Sequence, residues 1–217
     1  MNKFAVLCAT LLFSSLLSWT PLHATEAVYD IASMLEEMNT IQNNDTLLAQ
    51  ALQDGKTRAQ FCFHCHGTDG NSRRDHIPNL AQQNATYLFT QFEHFVTGER
   101  KDYVMNRLAG SLTRNDRIAI ALHFADQVVT PREQPVAPSA AGERLYNSLC
   151  FACHGRHGHG DQQYPRIAGQ PYEFLEKTLL SFLHKTDARK SSPMIGVMQS
   201  LSEQQVRDVA AHVAHMP

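Results

Sequence analysis

Two short segments place thiols beside imidazoles at a spacing that does specific chemistry: Cys62-Phe63-His64-Cys65-His66 and Cys150-Phe151-Ala152-Cys153-His154. Cys-x-x-Cys-His is the attachment signature of c-type haem. Two thiols three positions apart on one helical turn can each add to a vinyl group of the same porphyrin. The adjacent histidine then stands beneath the iron as an axial ligand. The covalent candidates are Cys62, Cys65, Cys150 and Cys153, the proximal iron ligands His66 and His154, and the cofactor two covalently bound haem c groups. Other uses of these residues fit less well. A disulfide across two residues closes a tiny loop and leaves the histidines unexplained. A single zinc site would have to span the 84 residues from His66 to Cys150. A thioredoxin-like pair needs a βαβ context that the pattern does not offer.

A sixth ligand should be a soft, neutral donor if the iron is to run at a raised potential, and methionine supplies one. Met105 lies 39 residues after His66 and Met194 lies 40 after His154; each precedes by seven the leucine, Leu112 or Leu201, that leads into a capped helix. That shared register selects Met105 and Met194 as distal ligands. Met198 is the rival in the second half, but its counterpart in the first is Ala109. Met34 and Met38 read as core packing.

These residues recur because the chain repeats itself. The two pentapeptides are offset by 88 positions, Pro78-Asn79-Leu80-Ala81-Gln82-Gln83 and Pro165-Arg166-Ile167-Ala168-Gly169-Gln170 by 87, and Met105 and Met194 by 89. Landmarks in the same order with such small drift indicate a duplicated domain. Thr130 to Ser139 contains three prolines and reads as a semi-rigid extended linker. The expected organisation is a signal over 1–24, an N-terminal helical extension over 25–52, a first domain over 53–130, a linker over 131–140 and a second domain over 141–217. Each copy is about as small as a single core can sustain, so a large apolar cofactor would complete it.

The pattern is helical throughout. Thr113 with Asp116 and Ser202 with Gln205 are capping-box signatures ahead of runs carrying Ile118, Leu122 and Ala125, or Val206, Val209 and Val213, on one face. Ile31, Met34, Leu35, Met38 and Ile41 repeat at helical spacing and have no counterpart in the second copy. The fold class is all-α: two tandem domains plus that extension.

Met1 to Ala24 has the form of a secretory signal, with Lys3, an apolar stretch from Phe4 to Leu17 and a small residue closing Leu22-His23-Ala24. Its cleavage would remove Cys8 and Trp19, leave four cysteines and place the protein in a bacterial periplasm. Across all 217 residues the formal net charge is −2, with 43% hydrophobic and 18% charged residues. This composition excludes a basic nucleic-acid binder and a largely disordered chain.

The duplicated Cys-x-x-Cys-His-Gly, Pro-x-Leu/Ile-Ala-x-Gln and Met-to-Leu-Ser/Thr segments resemble the dihaem cytochrome c4 family, built from tandem class I cytochrome c domains, over about residues 53–217. The resemblance implies one His/Met-ligated haem per domain and electron transfer between the two. It also implies that the carbonyls of Pro78 and Pro165 receive the proximal imidazole N–H. A quinol-oxidising complex or dehydrogenase would be the donor and a terminal oxidase the acceptor. The chain departs from the family in its long extension and in having His123 and His212 where the family often has Tyr. With no tryptophan after the signal, Tyr87, Tyr103, Arg100 and Arg189 become candidates to contact haem propionates.

A respiratory electron carrier is therefore the leading expectation, rather than an enzyme. The alternatives are the haem subunit of a flavocytochrome-type dehydrogenase, docked through the 31–41 helix to a flavoprotein, and a dihaem peroxidase. A thiosulfate-oxidising cytochrome would want a distal cysteine, and none is spare. Peripheral association with a membrane is compatible with the sequence; a role for nucleic acid is not. His157 and His159 read as an exposed loop, His64 and His76 as surface histidines, and Arg73-Arg74 as a solvated face.

Overall fold

Short polar side chains mark where the helices begin. Asn44 accepts from the Leu47 amide and Ser139 from that of Gly142, while Thr113 with Asp116 and Ser202 with Gln205 close complete capping boxes. The structure, a computed structural model, describes residues 31–186 and 189–217. The expected signal over 1–24 and the first residues of the extension lie outside this range. Among the described residues there are helices and loops but no strand.

An extension helix α1 (Ile31–Gln42) is followed by α2 (Asp45–Arg58), α3 (Phe63–His66), α4 (Ala85–Thr97), α5 (Met105–Ser111) and α6 (Arg114–Ala125). The second copy runs through α7 (Ala140–Leu145), α8 (Phe151–His154), α9 (Tyr172–Leu183), α10 (Met194–Met198) and α11 (Glu203–Ala214). In each half the entry helix packs on the last one, α2 on α6 and α7 on α11. Glycine makes both crossings: a Cβ on Gly55 would sit 2.1 Å from the Ala119 carbonyl oxygen, and one on Gly142 would sit 1.9 Å from that of Asp208.

The helix bearing Gly55 is continuous from Asp45 to Arg58, so it runs straight through the expected 52/53 boundary. The polar run from Gln53 to Arg58 hides this: beyond the stripe of Leu48, Ala51 and Leu52, the close contact with α6 is made by the glycine itself. The repeat offset is 87 between the two glycines and 88 between the cysteine pairs. A π-turn over Tyr146–Cys150, at the place where the first copy has a 3₁₀ turn over Ala59–Phe61, accommodates the extra residue.

The α1 helix buries Met34 and Met38 in the first domain's core, beside Phe89, Phe92, Ile118 and Phe124. The second domain has no such helix, and its core divides into two clusters, with Leu145 and Leu179 packed against both. The linker is strapped to both halves. Arg132 pairs with Asp75 and Thr130 N donates to Asn71 Oδ1, while Gln134 Nε2 donates to the Ala214 carbonyl. No helix of the described residues is long and apolar enough to cross a membrane.

Candidate haem sites

Each Cys-x-x-Cys-His segment forms a single helical turn, α3 or α8, that ends on its histidine. His66 is buried, with Nδ1 2.9 Å from the Pro78 carbonyl oxygen. His154 repeats the arrangement, with Nδ1 3.0 Å from the carbonyl of Pro165. A carbonyl can only accept, so Nδ1 carries the proton in both rings and Nε2 keeps its lone pair for a metal. Burial holds both imidazoles below their ordinary pKa, which keeps that lone pair available.

None of Cys62, Cys65, Cys150 and Cys153 is tied up in a disulfide. Before attachment, burial would push the Cys62 and Cys150 thiols up to about 11. Among the described residues, no group of three or more His, Cys, Asp or Glu side chains converges on a bare metal ion. The donors instead come as two thiols and one neutral imidazole per domain, which suits thioether attachment and axial ligation of an iron porphyrin.

Met105 and Met194 are each the first residue of a short helix, α5 and α10, and both are half-buried against the core. Met198 is fully buried among Phe182, Leu201 and Val206, as Ala109 is buried in the first domain. In the second domain, Cys150 belongs to one apolar cluster and Met194 borders the other.

Arg100 and Arg189 lie over the equivalent rings of Phe95 and Phe182, at 4.8 and 4.5 Å. Tyr103 is largely exposed, with Arg107 over its ring and bonded to its hydroxyl, and Tyr87 is half-buried. His123 is buried against Phe63 and Phe124, whereas His212 is half-buried beside Tyr146. His157 and His159 are exposed neighbours with ring centroids 5.9 Å apart; His64, His76, Arg73 and Arg74 are also exposed.

Two arrangements escaped sequence reasoning. Glu93 on α4 and Arg117 on α6 form a buried ion pair, Nε to Oε1 at 2.7 Å. Arg117 Nη1 also donates to the carbonyls of Leu112, at 2.7 Å, and Ala109, at 3.3 Å, so the pair holds the end of the helix that Met105 begins. The second arrangement joins the domains through Gln83 and Gln170. Each glutamine amide bonds both backbone groups of one residue in the other domain. The repeat contained both glutamines, but nothing local in the sequence indicated what they face.

Comparison with known proteins decides the family. Residues 139–217 match the Cytochrome c family. Cytochrome c4 from Pseudomonas aeruginosa is 31% identical over 180 residues, covering 76% of this chain and 89% of that protein. The chain belongs to the cytochrome c4 family. The crystal structure of reduced recombinant cytochrome c4 from Pseudomonas stutzeri superposes with a TM-score of 0.70 at 25% identity, over 76% of this chain and 98% of that one. A thiosulfate dehydrogenase electron acceptor from Stutzerimonas stutzeri is 26% identical over 173 residues, covering 73% of this chain and 80% of that protein. This cytochrome c4 homologue is therefore an all-α dihaem c-type cytochrome of electron transfer, and its two Cys-x-x-Cys-His segments carry two covalently bound haem c groups.

Proposed function

We propose that this protein is a periplasmic electron carrier whose two haems are ligated by His66 with Met105 and by His154 with Met194. The observation that carries the reading is the repeated geometry of a buried imidazole whose Nδ1–H is held by a proline carbonyl, on the same helical turn as the cysteine pair, with a methionine at the head of a later helix in the same register. Haem c supplies a one-electron ferric/ferrous couple when bound. The chain's own residues do the rest. Pro78 and Pro165 fix the imidazole planes, the thiols anchor the ring edge, and the methionines close the other face, leaving no open position for substrate.

The donor and acceptor are redox proteins: a quinol-oxidising complex or dehydrogenase on one side and a terminal oxidase on the other. The similarity to a thiosulfate dehydrogenase electron acceptor favours one particular donor class, an enzyme that oxidises a small sulfur anion. That is also how the alternative of a haem subunit docked on a dehydrogenase would arise.

Ligation is tested on the as-purified protein. Two haems should survive acid–acetone extraction, and both ferric irons should show methionine-to-iron charge-transfer absorption. Met105→Ala and Met194→Ala should each remove half of that absorption and open one ferrous iron to CO. Met198→Ala should leave ligation intact and cost about 2–5 kcal/mol of stability, as deletion of a fully buried side chain does. Wild-type CO binding at either iron would refute the carrier reading in favour of an enzyme.

A further inference from the structure

The Pro78–Asn79 peptide faces two ways. Its carbonyl accepts from His66 Nδ1 at 2.9 Å, and its N–H donates to Gln170 Oε1, in the other domain, at 2.9 Å. Gln170 Nε2 completes the clamp by donating to the Asn79 carbonyl at 2.9 Å. The second domain mirrors this. The Pro165 carbonyl accepts from His154 Nδ1 at 3.0 Å, the following Arg166 N–H donates to Gln83 Oε1 at 2.7 Å, and Gln83 Nε2 donates to the Arg166 carbonyl at 2.7 Å. All four residues of the two clamps are buried. Gln83 and Gln170 are duplicates of one another, as are Asn79 and Arg166.

We infer that Gln83 and Gln170 are reciprocal positioning residues, each tuning the haem of the opposite domain through the peptide that holds its proximal histidine. A hydrogen bond accepted from a peptide N–H polarises that peptide and makes its carbonyl a better acceptor. A stronger pull on the imidazole Nδ1–H makes Nε2 a better donor to iron, which favours the ferric state and lowers the potential. Water cannot substitute freely, because the clamp lies inside the interface. Each domain's potential thus depends on its partner being docked, a property that neither copy has alone. The inference rests on His66 and His154 being the proximal ligands, which the wild-type spectrum tests separately.

The test compares Gln83→Leu and Gln170→Leu in the full-length holoprotein. Each haem's midpoint is followed by NMR through its own methyl resonances, together with the His Nδ1–H resonances and the exchange of the Asn79 and Arg166 amides. Gln83→Leu should raise the midpoint of the haem on Cys150 and Cys153, shift the His154 Nδ1–H signal and leave the other haem unchanged. Gln170→Leu should do the converse to the haem on Cys62 and Cys65. In Gln83→Leu the Asn79 amide, held by Gln170, should stay protected, which shows that the interface remains closed while the potential moves. A shift confined to the haem of the mutated domain overturns the inference. So does an unchanged potential once the Arg166 amide has lost its protection. If both amides and both potentials move together, the glutamines are interface adhesive only and directed tuning is refuted.

Discussion

Removing Glu93 should be among the most damaging single changes in the chain, and the second domain shows why the pair can nevertheless be replaced. The Glu93 and Arg117 side chains are 0% and 7% exposed, and Glu93 Oε2 has no hydrogen-bond partner. Breaking a buried pair by removing one partner typically costs about 3–5 kcal/mol, because the other charge is left in low dielectric. For a domain of this size each kcal/mol lowers Tm by roughly 4–8 °C. Glu93→Ala takes the buried carboxylate from the Arg117 guanidinium, which still donates to the carbonyls of Leu112 and Ala109. At the equivalent positions the second domain has Leu180 and Val206, packed in one apolar cluster. Replacing a buried ion pair by packed apolar residues is often neutral or stabilising by about 1–4 kcal/mol. Against that stands the donor lost to the Leu112 carbonyl, about 1–3 kcal/mol; the Ala109 carbonyl still accepts from the Leu112 amide. Glu93→Leu/Arg117→Val should therefore fall within about 2 kcal/mol of wild type, far better than either single change. Urea unfolding of the holoprotein followed by circular dichroism measures all three. A Glu93→Ala cost below about 1 kcal/mol, or a double variant as unstable as the sum of the singles, refutes the reasoning.

Two further outcomes are expected. Burial holds His123 below its ordinary pKa, and its Nε2 has no partner. As pH falls below the ~6.5 of an unfolded histidine, the unfolded chain gains a proton that the native state refuses, so stability declines from there down to the depressed folded value. His123→Phe should flatten that acid-side decline in urea midpoints measured between about pH 7 and 5; an unchanged slope assigns the acid sensitivity elsewhere. Gly142→Ala would drive a methyl into the Asp208 carbonyl, and Gly55→Ala into that of Ala119. Each should cost at least ~1–3 kcal/mol by forcing two helices apart, and thermal unfolding indistinguishable from wild type would show that the crossings give way easily.

The chemistry was legible in the sequence because it is covalent and local. Cys-x-x-Cys-His places its thiols and imidazole on one helical turn wherever it occurs, and the structure forms that turn at both Phe63–His66 and Phe151–His154. Caps were legible for the same reason: Thr113 bonds Asp116 and Ser202 bonds Gln205 within three residues. The repeat conveyed register, and the proposal of Met105 and Met194 over Met198 rests on it. The entry helix was harder. The stretch from Asp45 to Arg58 packs Leu48, Ala51 and Leu52 on the core, but its closest crossing uses the absence of a side chain at Gly55, and periodicity does not register an absence.

What the sequence determined by itself is the set of groups whose partners lie within a few bonds: two attachment turns, capped helices and a duplicated order. What the tertiary structure decided is which distant polar groups meet where water is excluded. Glu93 finds Arg117 across 24 residues, Gln83 finds Arg166 across 83 and Gln170 finds Asn79 across 91. The strength of such pairings comes from the low dielectric created when the helices close around them. A residue's type shows that it can bond, whereas the assembled core determines with what, and how strongly.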